Sequence, residues 1–301
     1  MERSLNHVVS AGRNLFLSIA GNFGYPAALF QLIKTQPGIR VEIEAPCTNA
    51  AVESVVNWHE WGHPYGELKG WVKQADFYGG TVIRRDEFLK IGTREVTDQW
   101  SCDISEIDGL FDSRSMLTNY QDLDAFVEQE SPGYIDTLSL ARLRENLSHG
   151  GIGILKDNTS DYFAYHNWDG RLFLINHDGS HHFAAARYIA QRIEEPVPLQ
   201  GKLYHYGING QAIKDLRRDF EIFVIGASEV FNLEFNDAMN HYRADYYYAD
   251  LPRPYTDLQA IFLPHQKERS ARVAEILRDE GFFNLGQYLQ DLSIRGLRNN
   301  P

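Results

Sequence analysis

The stretch Asn176-His177-Asp178-Gly179-Ser180-His181-His182-Phe183-Ala184-Ala185 decides how the chain reads. Phe183, Ala186, Ile189 and Ile193 recur at helical spacing, so 183–193 is predicted as a helix opened by a polar loop at 177–182. A glycine at 179 lets backbone approach a ligand with no Cβ in the way. The helix behind it turns its free N–H groups and positive dipole end toward the loop, an arrangement suited to an anion. Asp178, Gly179, Ser180, His181 and His182 are therefore the expected ligand-binding set, and a phosphate beside the imidazoles would favour their charged form. The bland reading of the same residues is a helix cap by Asp178 or Ser180 with solvent-facing histidines.

Working outward, Leu140, Leu143 and Leu147 predict a helix over 137–149 that stops at Gly150-Gly151. A short strand is expected at 152–156. Strands at 162–166 and 171–176 join through Trp168-Asp169-Gly170, where Asp-Gly signals a hairpin. Pro196 and Pro198 end the helix that follows the loop, and a strand resumes at 201–206. Before this region, helices are expected at 3–20, 25–34, 49–58 and 120–130, with strands at 41–43, 81–83 and 94–97 and a loop at 103–115. After it, helices are expected at 211–219, 228–243, 266–279 and 285–292, with strands at 220–225 and 258–263. Helices and strands mix without a steady βαβ rhythm, which predicts an α+β fold. Ser131-Pro132-Gly133 suggests a boundary, giving three expected segments: 1–133, 134–210 and 211–301.

Leucine-bearing helix, glycine pair, strand at Ile152-Gly153-Ile154-Leu155, hairpin, and the Asp178-Gly179-Ser180-His181-His182 loop opening a helix: over 136–206 this order resembles the ParB/sulfiredoxin superfamily. Asp178, Gly179, His181 and Ala185 fall on the family's DGxHRxxA pattern. His182 stands where the family has arginine, and no proline precedes Ile154. The resemblance implies an α/β core whose loop holds the phosphates of a nucleotide, with Mg²⁺, or another phosphorylated group. It also leaves open phosphoryl transfer, nuclease chemistry or use as a scaffold. Under it, Arg142 and Arg144 on the preceding helix are candidates to replace the absent arginine. Glu145, His181 and His182 are the candidate catalytic groups, Glu145 as a base or Mg²⁺ ligand. These helix residues also fit the solvated face of an amphipathic helix.

A second constellation is His59-Glu60-Trp61-Gly62-His63. On a helix an HExxH string places two imidazoles one turn apart for zinc and a glutamate beside the bound water. Here Gly62 and the following Pro64 oppose such a helix, and a third ligand would come from Glu67, Asp86 or Glu87. A zinc hydrolase is thus a further alternative.

The composition narrows the partners. The chain has 301 residues, 29 Lys and Arg against 41 Asp and Glu, and a net charge of −12. An acidic total disfavours broad nucleic-acid binding, which needs an excess of cations. It suits a local anion site on an acidic body, or docking on a basic protein partner. For docking, the tyrosines of Asp245-Tyr246-Tyr247-Tyr248-Ala249-Asp250 would supply contact area, as in an inhibitor of a nucleic-acid-handling enzyme. Two cysteines, Cys47 and Cys102, make no disulfide framework. No apolar run approaches the roughly 20 residues needed to span a bilayer, and the expectation is a cytoplasmic protein with no membrane partner.

Overall fold

The computed structural model describes residues 16–43, 48–75 and 77–296. In chain order, α1 (residues 16–22) and α2 (Ala27–Thr35) lead through turns to strands β1 (Glu67–Lys73) and β2 (Tyr78–Arg84) and to the short helix α3 (Asp86–Leu89). Strands β3 (Gly92–Asp103) and β4 (Gly109–Leu110) precede helices α4 (Leu123–Glu130) and α5 (Leu140–Leu147). The hairpin β5 (Tyr162–His166) and β6 (Leu172–Ile175) runs into α6 (Ser180–Ile193) and then β7 (Pro198–Ile208). The remainder is α7 (Gly210–Asp219), β8 (Phe220–Gly226), α8 (Glu229–Tyr242), β9 (Tyr246–Asp250), β10 (Leu258–Pro264), α9 (Glu268–Asp279) and α10 (Leu285–Gly296). The fold is α+β.

The chain divides into two compact units, each discontinuous in sequence: residues 1–44, 60–91 and 209–291 in the first, and 45–59, 92–208 and 292–301 in the second. The boundary expected near 133 falls inside the second unit, and the one near 210 lies beside the break after Ile208.

In the first unit, an antiparallel sheet runs β2-β1-β9-β10-β8. Leu29 and Leu32 of α2, Phe235 and Met239 of α8, and Val273 and Leu277 of α9 pack with Phe223, Ile225, Ile261 and Leu263 of its strands. The tyrosine stretch forms β9, an interior strand whose Tyr246 is buried and whose Tyr247 and Tyr248 are half-buried.

In the second unit the sheet is mixed, β3-β7-β5-β6-β4, with β7 parallel to β5 and β4 parallel to β6. Phe126 of α4, Leu143 of α5, and Phe183, Ala186 and Ile189 of α6 share one core with Phe163, Leu174 and Leu203 of the sheet. This core holds α5 and α6 side by side, and it sets the geometry of the loop between β6 and α6.

The loop expected at 103–115 contains strand β4, and three expected elements also differ from those observed. Residues 152–156 make a 3₁₀ turn, Gly153–Leu155, rather than a strand: Ile152 and Ile154 are both buried, but Lys156 N–H bonds back to Gly153 O at 2.9 Å and no ladder forms. Residues 49–58 are not an α-helix. Ala50 N–H bonds to Tyr120 O and Leu110 N–H to Ala50 O, so the segment is tied to the edge of the sheet and curls only in 3₁₀ turns at Val52–Ser54 and Trp58–Glu60. Residues 41–43 contain no strand; the isolated bridge to Ile225 is made by Arg40, just before them. The helix expected at 3–20 lies in part, and Cys47 wholly, outside the described residues.

Candidate functional site

Helix α6 begins three residues earlier than its hydrophobic spacing suggests, so Ser180, His181 and His182 are its first turn rather than a loop. The cause is Gly179, which takes φ +73° and whose carbonyl accepts from Phe183 N–H at 2.9 Å. A Cβ there would overlap the carbonyl group of Gly151, so only glycine lets the loop nest against the end of the preceding segment. No side chain caps this helix end, and its first N–H groups have no intrahelical acceptor.

The first turn of α6 lines a cleft of about 890 Å³ together with residues 112–114, residues 130–134, His149, His177 and Asp178. Buried Asn176 ties its edges together: its Oδ1 accepts from the N–H groups of Phe111 and Asp112, and its Nδ2 donates to the carbonyls of Asp112 and Asp178. This brings Arg114 to the cleft. Ser180 Oγ donates to Ser113 Oγ at 3.0 Å, and Gly179 N–H donates to Asp178 Oδ1 at 2.7 Å. His177 pairs with the buried carboxylate of Asp161 at 3.0 Å.

His181 lies 2.6 Å from the Ser131 hydroxyl and packs on Phe126. Burial pushes its imidazole below the ordinary range and Arg114 adds to this, while Glu130 opposes both. Glu130 is held down by hydrogen bonds from Ser115, at 2.6 Å, and from Tyr120.

His182 sits between two rings, Tyr134 at 4.1 Å and His149 at 3.9 Å, both nearly parallel to it. Its Nδ1 is 3.0 Å from Asn146 Oδ1. Asn146 is buried, and its Nδ2 donates to the carbonyls of Tyr134 and Arg142, so its Oδ1 faces the imidazole and His182 Nδ1 must carry the proton. His149 is the opposite tautomer: its Nδ1 accepts from Gly151 N–H at 3.1 Å, and its proton is on Nε2. Burial is the largest cause of a lowered His182 pKa, with the neighbouring His149 and His181 adding to it and Glu145 opposing.

The other residues expected at this site are elsewhere. Arg142 is engaged by Asp136 at 2.8 Å, Glu145 at 2.7 Å and the Gly133 carbonyl, and neither it, Arg144 nor Glu145 lines the cleft. Glu145 and Arg144 are exposed on α5. The cation brought to the cleft is Arg114, from a loop that carries no motif. Arg114, Asn146, His149 and Ser131 were not legible as site residues. The nearest signal was His149 directly before Gly150-Gly151, where the helix end had to stop close to the loop.

His59, Glu60 and His63 do not form a helical metal motif. Trp58–Glu60 is a 3₁₀ turn, and Gly62 takes φ +100° with its Cα against the Phe88 carbonyl. The break between the two units falls after His59. His59 instead contacts the rings of Tyr206, Trp168 and His166, whereas His63 is exposed. Of the expected third ligands, Asp86 faces Arg84 and Glu87 pairs with Arg85. Among the described residues, no group of three or more His, Cys, Asp or Glu is placed to hold a metal ion. Cys102 is buried, and burial pushes its thiol up to about 12, so it is not a thiolate at neutral pH. No helix of the described residues is long and apolar enough to cross a membrane.

A family model described as a family of unknown function, DUF6685, matches residues 97–299, more than half of the chain. The chain belongs to DUF6685. Every residue that lines the cleft lies inside the matched stretch, and His59, Glu60 and His63 lie outside it. No curated protein and no solved structure matches this DUF6685 chain.

Proposed function

We propose that this DUF6685 protein binds a nucleotide or another phosphorylated ligand in the cleft at the start of α6, as its resemblance to the ParB/sulfiredoxin superfamily implies. One observation carries the reading. In a chain of net charge −12, Arg114, the imidazoles of His149, His177, His181 and His182, and the uncapped N-terminus of a 14-residue helix converge on one cleft. Backbone N–H groups and the helix dipole favour a phosphate there, and Arg114 supplies the permanent charge that the family places at position 182. The cleft volume of about 890 Å³ is within the range of small-ligand sites. The stacked Tyr134, His182 and His149 offer an aromatic surface beside the phosphate position. Mg²⁺ would enter with the ligand, since the lining carboxylates Asp112, Glu130 and Asp178 are not grouped as a metal site of their own.

The docking alternative, an acidic inhibitor of a basic protein, has less to support it, because the tyrosines of 246–248 are used within the sheet. Calorimetry with CTP, ATP, ADP and GTP, each with and without Mg²⁺, tests the proposal. At least one is expected to bind, and the double variant His181→Ala, His182→Ala to weaken it at least about tenfold. Absence of binding by all four, and by inorganic phosphate, removes the reading.

A further inference from the structure

We infer that His182 Nε2 takes up a proton from solvent as the ligand binds, and that the cleft thereby selects a dianionic phosphate monoester over a monoanionic diester. This rests on the phosphate-binding reading above.

The geometry separates two stacked imidazoles that are otherwise alike. His149 Nδ1 faces the N–H of Gly151, which can only meet a lone pair. With Nδ1 occupied as an acceptor, the donor atom of the His149 ring in this arrangement is Nε2–H. His182 Nδ1–H donates to Asn146 Oδ1, a bond that survives, and strengthens, when the ring is charged. Its Nε2 is therefore the atom that can change protonation state. With rings 3.9 Å apart, two cations would repel strongly.

The groups around His182 decide when that charge appears. From its own helix it faces His181. From α5 it faces Asn146 and the carboxylate of Glu145, and beyond α5 the ring of His149. From the turn at Pro132–Tyr134 it faces Tyr134. Arg114 and Glu130 act on the adjacent His181. Around the free cleft, burial first and then the two neighbouring imidazoles lower the His182 pKa, against the single pull of Glu145. A bound dianion opposes that burial with two negative charges, and a diester with one. The extra charge favours the protonated ring, whose Nε2–H then donates to a phosphate oxygen.

The test is nitrogen-detected NMR of imidazole-labelled protein, titrated from pH 5 to 8.5 alone, with saturating methyl phosphate, and with saturating dimethyl phosphate. The expected result has three parts. In the free protein His182 carries its proton on Nδ1 and His149 on Nε2. Methyl phosphate raises the His182 midpoint by about one pH unit or more, a tenfold gain in proton affinity. Dimethyl phosphate raises it by much less. His182→Gln assigns the resonance; should that variant not fold, Asn146→Asp serves, since a carboxylate at that position raises the free-state midpoint and shrinks the ligand-induced shift. Phosphate binding with an unmoved His182, or an equal shift with both esters, overturns the inference and leaves the binding site standing. No response of any cleft histidine to either ester, to inorganic phosphate or to the nucleotides overturns both.

Discussion

The second unit keeps its histidines in two settings. At the start of α6, every imidazole of the cleft has a polar partner: His177 has Asp161, His181 has Ser131, His182 has Asn146, and His149 has the Gly151 N–H. Around His166 the surroundings are aromatic. Its ring stacks on Tyr206 at 5.0 Å and meets Trp168 and Phe173 edge-on, and its Nδ1 has no hydrogen-bond partner. Burial pushes its pKa down to about 3. His59, the first residue of the HExxH string, belongs to this second setting. Under the proposed function, the imidazoles that exchange protons with a ligand are those whose partners accept or donate in a defined sense and whose cleft is open. Of the recognisable motif string, His59 packs in the other group, beside the His166 ring that burial keeps neutral, and His63 is exposed.

That contrast can be broken or sharpened in order of effect. The largest change is expected from Gly179→Ala. A left-handed φ for alanine, with its Cβ driven into Gly151, should cost about 3 kcal/mol by urea unfolding and abolish phosphate binding. An unfolding midpoint equal to that of the parent would mean that the loop and the Gly150-Gly151 turn are not nested.

His166→Phe comes next and acts only through pH. The folded-state pKa of His166 lies below its ordinary value of 6.5, so the unfolded chain takes up the proton first. Stability is then full above that ordinary value and falls as the pH drops toward 3, by about 2 kcal/mol at pH 5. Unfolding of parent and variant at pH 7.5 and 5.0 should show this loss in the parent and its absence in the variant at that site. Equal acid sensitivity in both would place His166 in contact with water.

A smaller effect, about 1–2 kcal/mol, is expected for Asn146→Ala, which leaves the Tyr134 and Arg142 carbonyls and the His182 Nδ1–H without their partner. Its diagnostic is a mixture of His182 tautomers in the nitrogen spectrum; a single Nδ1–H tautomer in the variant would show that Asn146 does not select it. Smallest in stability is Arg114→Gln, which should weaken phosphate binding about tenfold and leave the unfolding midpoint in place. Arg142→Gln, whose guanidinium is already held by Asp136 and Glu145, should leave affinity unchanged. If the two arginine variants exchange these outcomes, α5 rather than the 112–114 loop provides the ligand's cation.

Much of the secondary structure was legible because it follows from local pattern. The Asp169-Gly170 hairpin, the apolar spacing of α6, and β8 and β10 with their near-continuous apolar runs are all near their expected places. Strand β1 was not, since Gly70 and the charged Lys69 and Lys73 hide its alternation, and it is held by pairing to β2 and β9. At 49–58, apolar spacing suggested a helix, and long-range hydrogen bonds from Ala50 prevailed. At the cleft, the core of the motif was legible in Asp178 to His182. Its outer wall was not: Arg114, Ser131 and Asn146 come from separate segments with no spacing that relates them.

The sequence by itself determined that a glycine turn would open a helix with histidines near its start, because glycine at 179, histidines at 181 and 182 and the apolar period of α6 are all local properties of one short segment. It also determined the acidic balance against which the arginine and four histidines of the cleft stand out. Only the tertiary structure decided which cation joins the loop, which tautomer each histidine holds, and that the HExxH histidines are packed or exposed rather than paired on a helix. Most of these depend on hydrogen bonds between residues 16 to 65 positions apart, such as Ser131 with His181, Asn146 with His182, and Asn176 with Phe111. A hydrogen bond acts over about 3 Å of space whatever the distance along the chain.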